Sequence, residues 1–271
     1  MASLPNPLPQ LAADLTGGSL GLRLPPGKVI DRTENGPWHE PLLWIADSRA
    51  QQDSWREVMA ARRRGLLPVL IGEKYGDLAP RLMPELMSYP GDHDAEDVLS
   101  EFWEAYAAEE LDEDNPLPWP GLALSSLTPD GESDCDPDAN ADELASSVTG
   151  PGEDGFWLKA PRIALVPARR SADIPAAIGW TGPLNHENDV ARLCAVLRSW
   201  EDRFGARLVA LGFDTMLVSV AAPPATRAAA ELLAAEHYAF CPDNIDQAGR
   251  TTQSSYAESL LQERSWAFWW D

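Results

Sequence analysis

Four residues near the C-terminal end have types and spacing suited to metal binding or proton transfer: His237, Cys241, Asp243 and Asp246, in the pattern H-x3-C-x-D-x2-D. The set mixes soft and hard ligands, and its fourth donor would be a carboxylate, which is uncommon in structural zinc sites. Each residue also has an ordinary role. His237 ends a helix, Cys241 packs in a strand, and Asp243 and Asp246 turn the chain after Pro242. As a nucleophile Cys241 needs a histidine to stabilise its thiolate, and His186 and His237 are the candidates. Asp214, in a Gly-Phe-Asp-Thr turn, extends the set if it shares a sheet rim with Asp243, where paired carboxylates share a proton or hold a cation. An aspartate in a hairpin turn also serves local hydrogen bonding alone.

Other motifs carry less chemistry. Gly17-Gly18-Ser19-Leu20-Gly21 fits the G-x-S-x-G pattern, but a nucleophile elbow needs a strand before the serine and a helix after it. Here a helical segment precedes and an extended one follows, so a helix cap is the expected role. The run also lacks the Gly-Lys-Ser/Thr ending of a phosphate loop. Arg62-Arg63-Arg64 ends an expected helix, where cations complement the dipole. Cys194 lies on the apolar face of its helix. Cys135 sits between Asp134 and Asp136, which disfavour its thiolate.

The charge is unevenly spread. Residues 76–155 carry 22 Asp and Glu against the single Arg81, within a chain of net charge −22. Both flanks are near neutral. This suggests two folded units joined by a solvated acidic connector, 112–155, with Trp119 and Trp157 near its ends as candidate docking anchors. An acidic chain is a poor binder of phosphate backbones. No basic apolar leader and no run of membrane-spanning length is seen. Three cysteines without CxxC spacing fit a reducing cytoplasm.

The elements that must position these residues follow from periodicity. Residues 41–48 and 66–72 read as strands flanking a helix over 50–64, a small βαβ unit. Residues 94–111 have helical spacing, with Val98, Leu99, Phe102, Trp103 and Tyr106 in one stripe. Beyond the connector, strands are expected at 162–168, in ARLVALGF and TMLVSVA, in YAFCP and in the closing WAFWW. Helices are expected at 185–204, in APPATRAAAELLAAEHY and over 254–263. The order β-α-β-β-α-β plus an extra α-β matches a ferredoxin-like pattern, with helices on one face of a mainly antiparallel sheet.

The segments RIALVPARR, ARLVALGFDTMLVSVA, HYAFCPDNIDQ and YAESLLQERSWAFWWD resemble the bacterial family called domain of unknown function 4253. The likeness spans roughly residues 155–271 and includes the GFDT turn, the CPD-x-x-D segment and the closing FWWD. Thr251–Ser255 departs from an apolar lead into the AESLL helix. The resemblance implies a domain boundary and no activity. Small acidic domains of this kind resemble immunity or interaction modules of bacterial toxin systems, which is analogy alone.

The reading is an α+β protein of three parts: 1–111, the linker 112–155 and a C-terminal domain 156–271. The expected function is a non-enzymatic, protein-binding module, immunity-like or regulatory, in the cytoplasm. It is expected to take no cofactor or metal and to bind neither nucleic acid nor membrane. Its candidate binding residues are Asp214, His237, Cys241, Asp243 and Asp246. The alternative is a small hydrolase or cation-dependent enzyme using Asp214, Cys241, Asp243 and Asp246.

Overall fold

The computed structural model describes residues 6–72, 81–111, 117–127, 136–150, 158–247 and 252–271. Cys135, Trp157 and much of the expected linker lie outside them. Chain order begins with α1 (Leu8–Ala13), β1 (Gly27–Ile30), a hairpin of β2 (Arg32–Thr33) and β3 (Gly36–Pro37), and β4 (Leu43–Ala46). Then come α2 (Ser54–Val58), β5 (Leu66–Ile71), α3 (Ala95–Leu111) and α4 (Pro137–Val148). The C-terminal part holds β6 (Arg162–Pro167), α5 (Ile174–Ile178), α6 (Val190–Phe204), β7 (Arg207–Leu211) and β8 (Thr215–Ser219). It ends with α7 (Arg227–Phe240), α8 (Asp243–Asp246), α9 (Gln253–Leu260) and β9 (Ser265–Trp269).

Seven strands form one sheet in the order β1-β4-β6-β5-β7-β8-β9, antiparallel at every pairing except the parallel contact of β5 with β7. The α+β class and the mainly antiparallel mixed sheet agree with the sequence reading. The finer topology differs. A separate N-terminal βαβ unit is not formed, because β6 lies between β4 and β5. The ferredoxin-like arrangement is not formed either: β5 separates β6 from β7, and β7, β8 and β9 then follow in simple succession. A fragment beginning at residue 156 therefore lacks the strand that joins its first strand to the rest.

The reason is burial on both faces. Every residue of β4 and of β5 is buried, a pattern that suits interior strands needing a partner at each edge. Period two sends Ile45, Leu67, Val69, Ala164 and Val166 into one core. It sends Trp44, Leu66, Leu70, Ile163 and Leu165 into the other. Residues of α3 and of α5–α9 pack in the first core and those of α1, α2 and α4 in the second. Helices thus cover both faces, although those of the C-terminal part share one face as expected.

Two further differences have local causes. YAFCP does not form a strand: α7 continues to Phe240, and the Cys241 N–H closes on the His237 carbonyl. Within the expected linker, residues 136–150 form a capped helix. The Asp136 side chain accepts from the Asp138 N–H, Pro137 occupies the first turn, and Asn140, Ala141 and Ala145 are buried. Asn140 donates to the Val220 carbonyl at 3.1 Å. Asn140, Ala141 and Ala145, with Leu144 and Val148 packed beside them, dock a segment that composition alone marks as solvated. The helix over 50–64 becomes α2 followed by a 3-10 turn through Arg64, ended by Gly65 at φ 76°, a left-handed conformation that glycine takes without a Cβ penalty.

Candidate functional site

The C-P-D-N-I-D segment fastens the last strand. Strand β9 is at the edge of the sheet, and its outer backbone groups need partners. Asn244 supplies them as a neighbouring strand would: its Nδ2 donates to the Ala267 carbonyl at 2.7 Å and its Oδ1 accepts from the Trp269 N–H at 3.1 Å. The Cys241 thiol donates to the Trp269 carbonyl at 2.9 Å. One Asp243 oxygen accepts from the Asp271 N–H at 3.0 Å and the other from the Gln247 amide at 2.8 Å. Asp246 accepts from the Tyr238 hydroxyl at 3.1 Å. The Asp214 carbonyl accepts from the Trp270 N–H.

The structure therefore brings Cys241, Asp243 and Asp214 to the same chain end, but each through contacts that hold β9. Burial pushes the Cys241 thiol well above its ordinary value, although hydrogen bonds to Trp269 and Asn244 oppose the shift. A thiol so held stays protonated and is a poor nucleophile. Cys194 is likewise buried and its thiol raised, first by burial. Among the described residues no three His, Cys, Asp or Glu side chains gather to hold a metal ion. Gly17 and Gly21 take left-handed conformations around a 3-10 turn that follows α1, so Ser19 has no strand before it.

His237 sits deeper than the sequence suggests. It is fully buried on α7, with its ring 4.7 Å from Trp266, 4.9 Å from Trp200 and 4.9 Å from Phe268. Its Nδ1 shares a hydrogen bond of 3.0 Å with the Tyr256 hydroxyl. Burial, with Arg203 adding to it, lowers its pKa to about 3, so the ring is neutral near pH 7. His186 is lowered to about 4, chiefly by burial; Asp243 opposes this and Arg192 adds to it.

The residue before it, Glu236, is the most deeply buried carboxylate among the described residues and was not among the sequence candidates. Its oxygens accept four hydrogen bonds: from the Ala123 N–H at 2.7 Å, Trp200 Nε1 at 2.8 Å, and the two Arg203 terminal nitrogens at 2.8 and 2.5 Å. Arg203 also donates to the Ala123 carbonyl at 2.8 Å, and its own carbonyl accepts from Ser126 N at 3.0 Å. This clasp binds residues 117–127 to the helical face. A glutamate inside an alanine-rich run was the available signal, since a charge on a helix face that buries needs a partner.

The same strap forms one wall of an apolar groove of about 760 Å³. Trp103, Leu117 and Trp119 line one side, and Ala228, Leu232 and Ala235 of α7 the other. Leu117 is 54% exposed. Trp119 is thus a groove residue, and its indole N–H is buried without a hydrogen-bond partner among the described residues. Glu231 stands at the rim. In sequence the acids Glu109, Glu110, Asp112, Glu113 and Asp114 directly precede Leu117.

Residues 162–271 match the family described as Domain of unknown function (DUF4253). The match begins at the first residue of β6 and runs to the end of the chain, so it takes in the GFDT turn, the Asn244 clamp and the closing aromatic strand. No curated protein and no solved structure matches the chain significantly.

Proposed function

We propose that this chain is a non-enzymatic protein-binding module whose docking surface is the groove between the 117–127 strap and α7. The partner is a basic, amphipathic segment of another protein. The observation that carries the reading is the apolar groove itself, with an exposed Leu117 set against Leu232 and Ala235. Exposed apolar surface of this kind is costly unless it is used. The charge identifies the occupant. A chain of net −22, with an acidic run leading into the groove wall and Glu231 on the rim, attracts a cationic segment and repels an acidic one. A helix laid in a groove, reading one apolar stripe, is a recurrent mode of such recognition. The hydrolase alternative fares less well, because Cys241 is buried and protonated and Asp243 and Asp246 accept structural hydrogen bonds. No helix among the described residues is long and apolar enough to cross a membrane.

The test is calorimetric titration with a designed leucine–lysine amphipathic peptide, a scrambled peptide of equal composition, and a leucine–glutamate peptide. The amphipathic basic peptide is expected to bind saturably, and Leu232→Arg to weaken it by roughly tenfold or more. Equal binding of the scrambled peptide, or no effect of Leu232→Arg, would reduce the interaction to general charge attraction and sink the reading.

A further inference from the structure

At the end of the sheet where β5 and β7 begin and β6 has just ended lies a second cleft of about 280 Å³, lined from both faces. Its composition is opposite to that of the molecule. Four guanidinium groups, from Arg62, Arg169, Arg170 and Arg207, line it together with only three carboxylates, Asp138, Glu201 and Asp202. Four cations against three anions is a local excess of one positive charge in a chain of net −22. Such a local excess lowers the opposition that the chain's net charge presents to an approaching anion.

The arginines are arranged rather than scattered. Arg62, from the 3-10 turn before β5, and Arg207, the first residue of β7, converge on one carboxylate, Asp138. Arg62 pairs with one oxygen, and Arg207 Nε meets the other at 3.1 Å. Each arginine makes a single charge-assisted contact to a different oxygen of one anion, the kind of contact that arginine also offers to phosphate. Arg170 is fixed beside them by Glu201 at 2.6 Å, Asp202 at 2.5 Å and the Arg198 carbonyl at 3.1 Å. Glu201 in turn accepts from the Ser171 hydroxyl. An apolar wall of Trp55 and Met59 completes the cleft.

Asp138 is not all that holds α4 in place. Asn140, which bonds the Val220 carbonyl, and the buried Ala141 and Ala145 dock it as well. The Asp138 carboxylate occupies the point where the arginines aim. We infer that this cleft is a binding site for a small phosphate monoester, whose dianion takes the position of the Asp138 carboxylate between Arg62 and Arg207 while the Trp55–Met59 wall receives the organic part. The acidic segment thus carries an internal stand-in for the ligand, and binding is a competition with it.

The competition supplies the test, because two substitutions at one contact act in opposite directions. Phenyl phosphate and inorganic phosphate are titrated by calorimetry at constant ionic strength into the full-length chain and its variants. Phenyl phosphate is expected to bind more tightly than inorganic phosphate, since only it uses the apolar wall. Arg207→Gln weakens it by roughly tenfold or more, through loss of a charge-assisted contact. Arg62→Gln, on the more exposed turn, acts in the same direction and keeps the test open if Arg207→Gln disturbs β7. Asp138→Ala strengthens binding several-fold. No saturable binding of either compound, or weaker binding in Asp138→Ala, would overturn the inference. Equal affinity for the two phosphates would remove the organic part of the ligand and overturn the monoester assignment.

Discussion

Residues 117–127 are fastened to the helical face by Glu236 and Arg203, whereas α4 meets the opposite face beside Asp138, Arg62 and Arg207. Both contacts join a carboxylate to guanidinium groups, and both belong to the docking of the acidic segment. They differ in their surroundings. Glu236 is fully buried and Arg203 is 14% exposed, and all four acceptor positions are filled. Asp138 is 36% exposed, with arginines at 35% and 26%. Water screens the second contact and can replace either partner, but nothing replaces the first. The same chemistry is therefore a lock where it is buried and an exchangeable contact where it is open.

The widest gap between the two should appear on removing the carboxylates. Glu236→Ala leaves the Arg203 guanidinium, the Trp200 indole N–H and the Ala123 N–H without their acceptor. Breaking a buried pair this way costs about 3–5 kcal/mol, to be read from urea unfolding midpoints. Amide exchange in residues 117–127 should accelerate with it. A loss below about 1 kcal/mol would erase the distinction between the clasps.

Acid should strike the locked region first. His237 and His186 have folded pKa values lowered to about 3 and about 4, chiefly by burial, from the ordinary 6.5. The unfolded chain then binds protons that the folded one refuses. Their stabilising contribution is complete above pH 6.5 and is lost as the pH falls toward 4 and 3. At pH 5 the loss is roughly 2 kcal/mol for each ring. His237→Phe keeps a ring among Trp200, Trp266 and Phe268 and should halve the stability difference between pH 7 and pH 5. An unchanged difference would mean that the folded protein admits the proton at His237.

The smallest effect is expected at the open contact. Asp138→Ala should change stability by less than about 1 kcal/mol in the same unfolding assay, because Asn140, Ala141 and Ala145 remain docked. A loss matching that of Glu236→Ala would make the clasps equivalent.

Much of the element order was legible. The stripe of α3, the strands β4, β5 and β6, the long α6 with its Gly205 stop and the final aromatic strand all follow from period and caps. The strand parity of Trp266, Phe268 and Trp270 was legible too, and all three are buried. The candidate site was less so. His237, Cys241, Asp243 and Asp246 are close in sequence because they surround one chain end, and that closeness is what made them look like ligands. The residue that holds the edge strand, Asn244, lies among them, and its role needs the position of β9 to be seen. Residues 112–155 misled for a related reason: low mean hydropathy describes a segment, while docking needs only one buried stripe, here Asn140, Ala141 and Ala145.

By itself the amino-acid sequence determined which residues alternate or recur, the glycine stops at Gly65 and Gly205, the family resemblance of the last 110 residues, and where the charge lies. Those are local quantities, set by backbone sterics and by the period of apolar side chains. Only the tertiary structure decided that β6 enters between β4 and β5, that Glu236 finds Arg203, and that Arg62 and Arg207 meet at Asp138. Each of these joins residues far apart along the chain, and strand periodicity says which face a residue occupies but not which strand lies beside it.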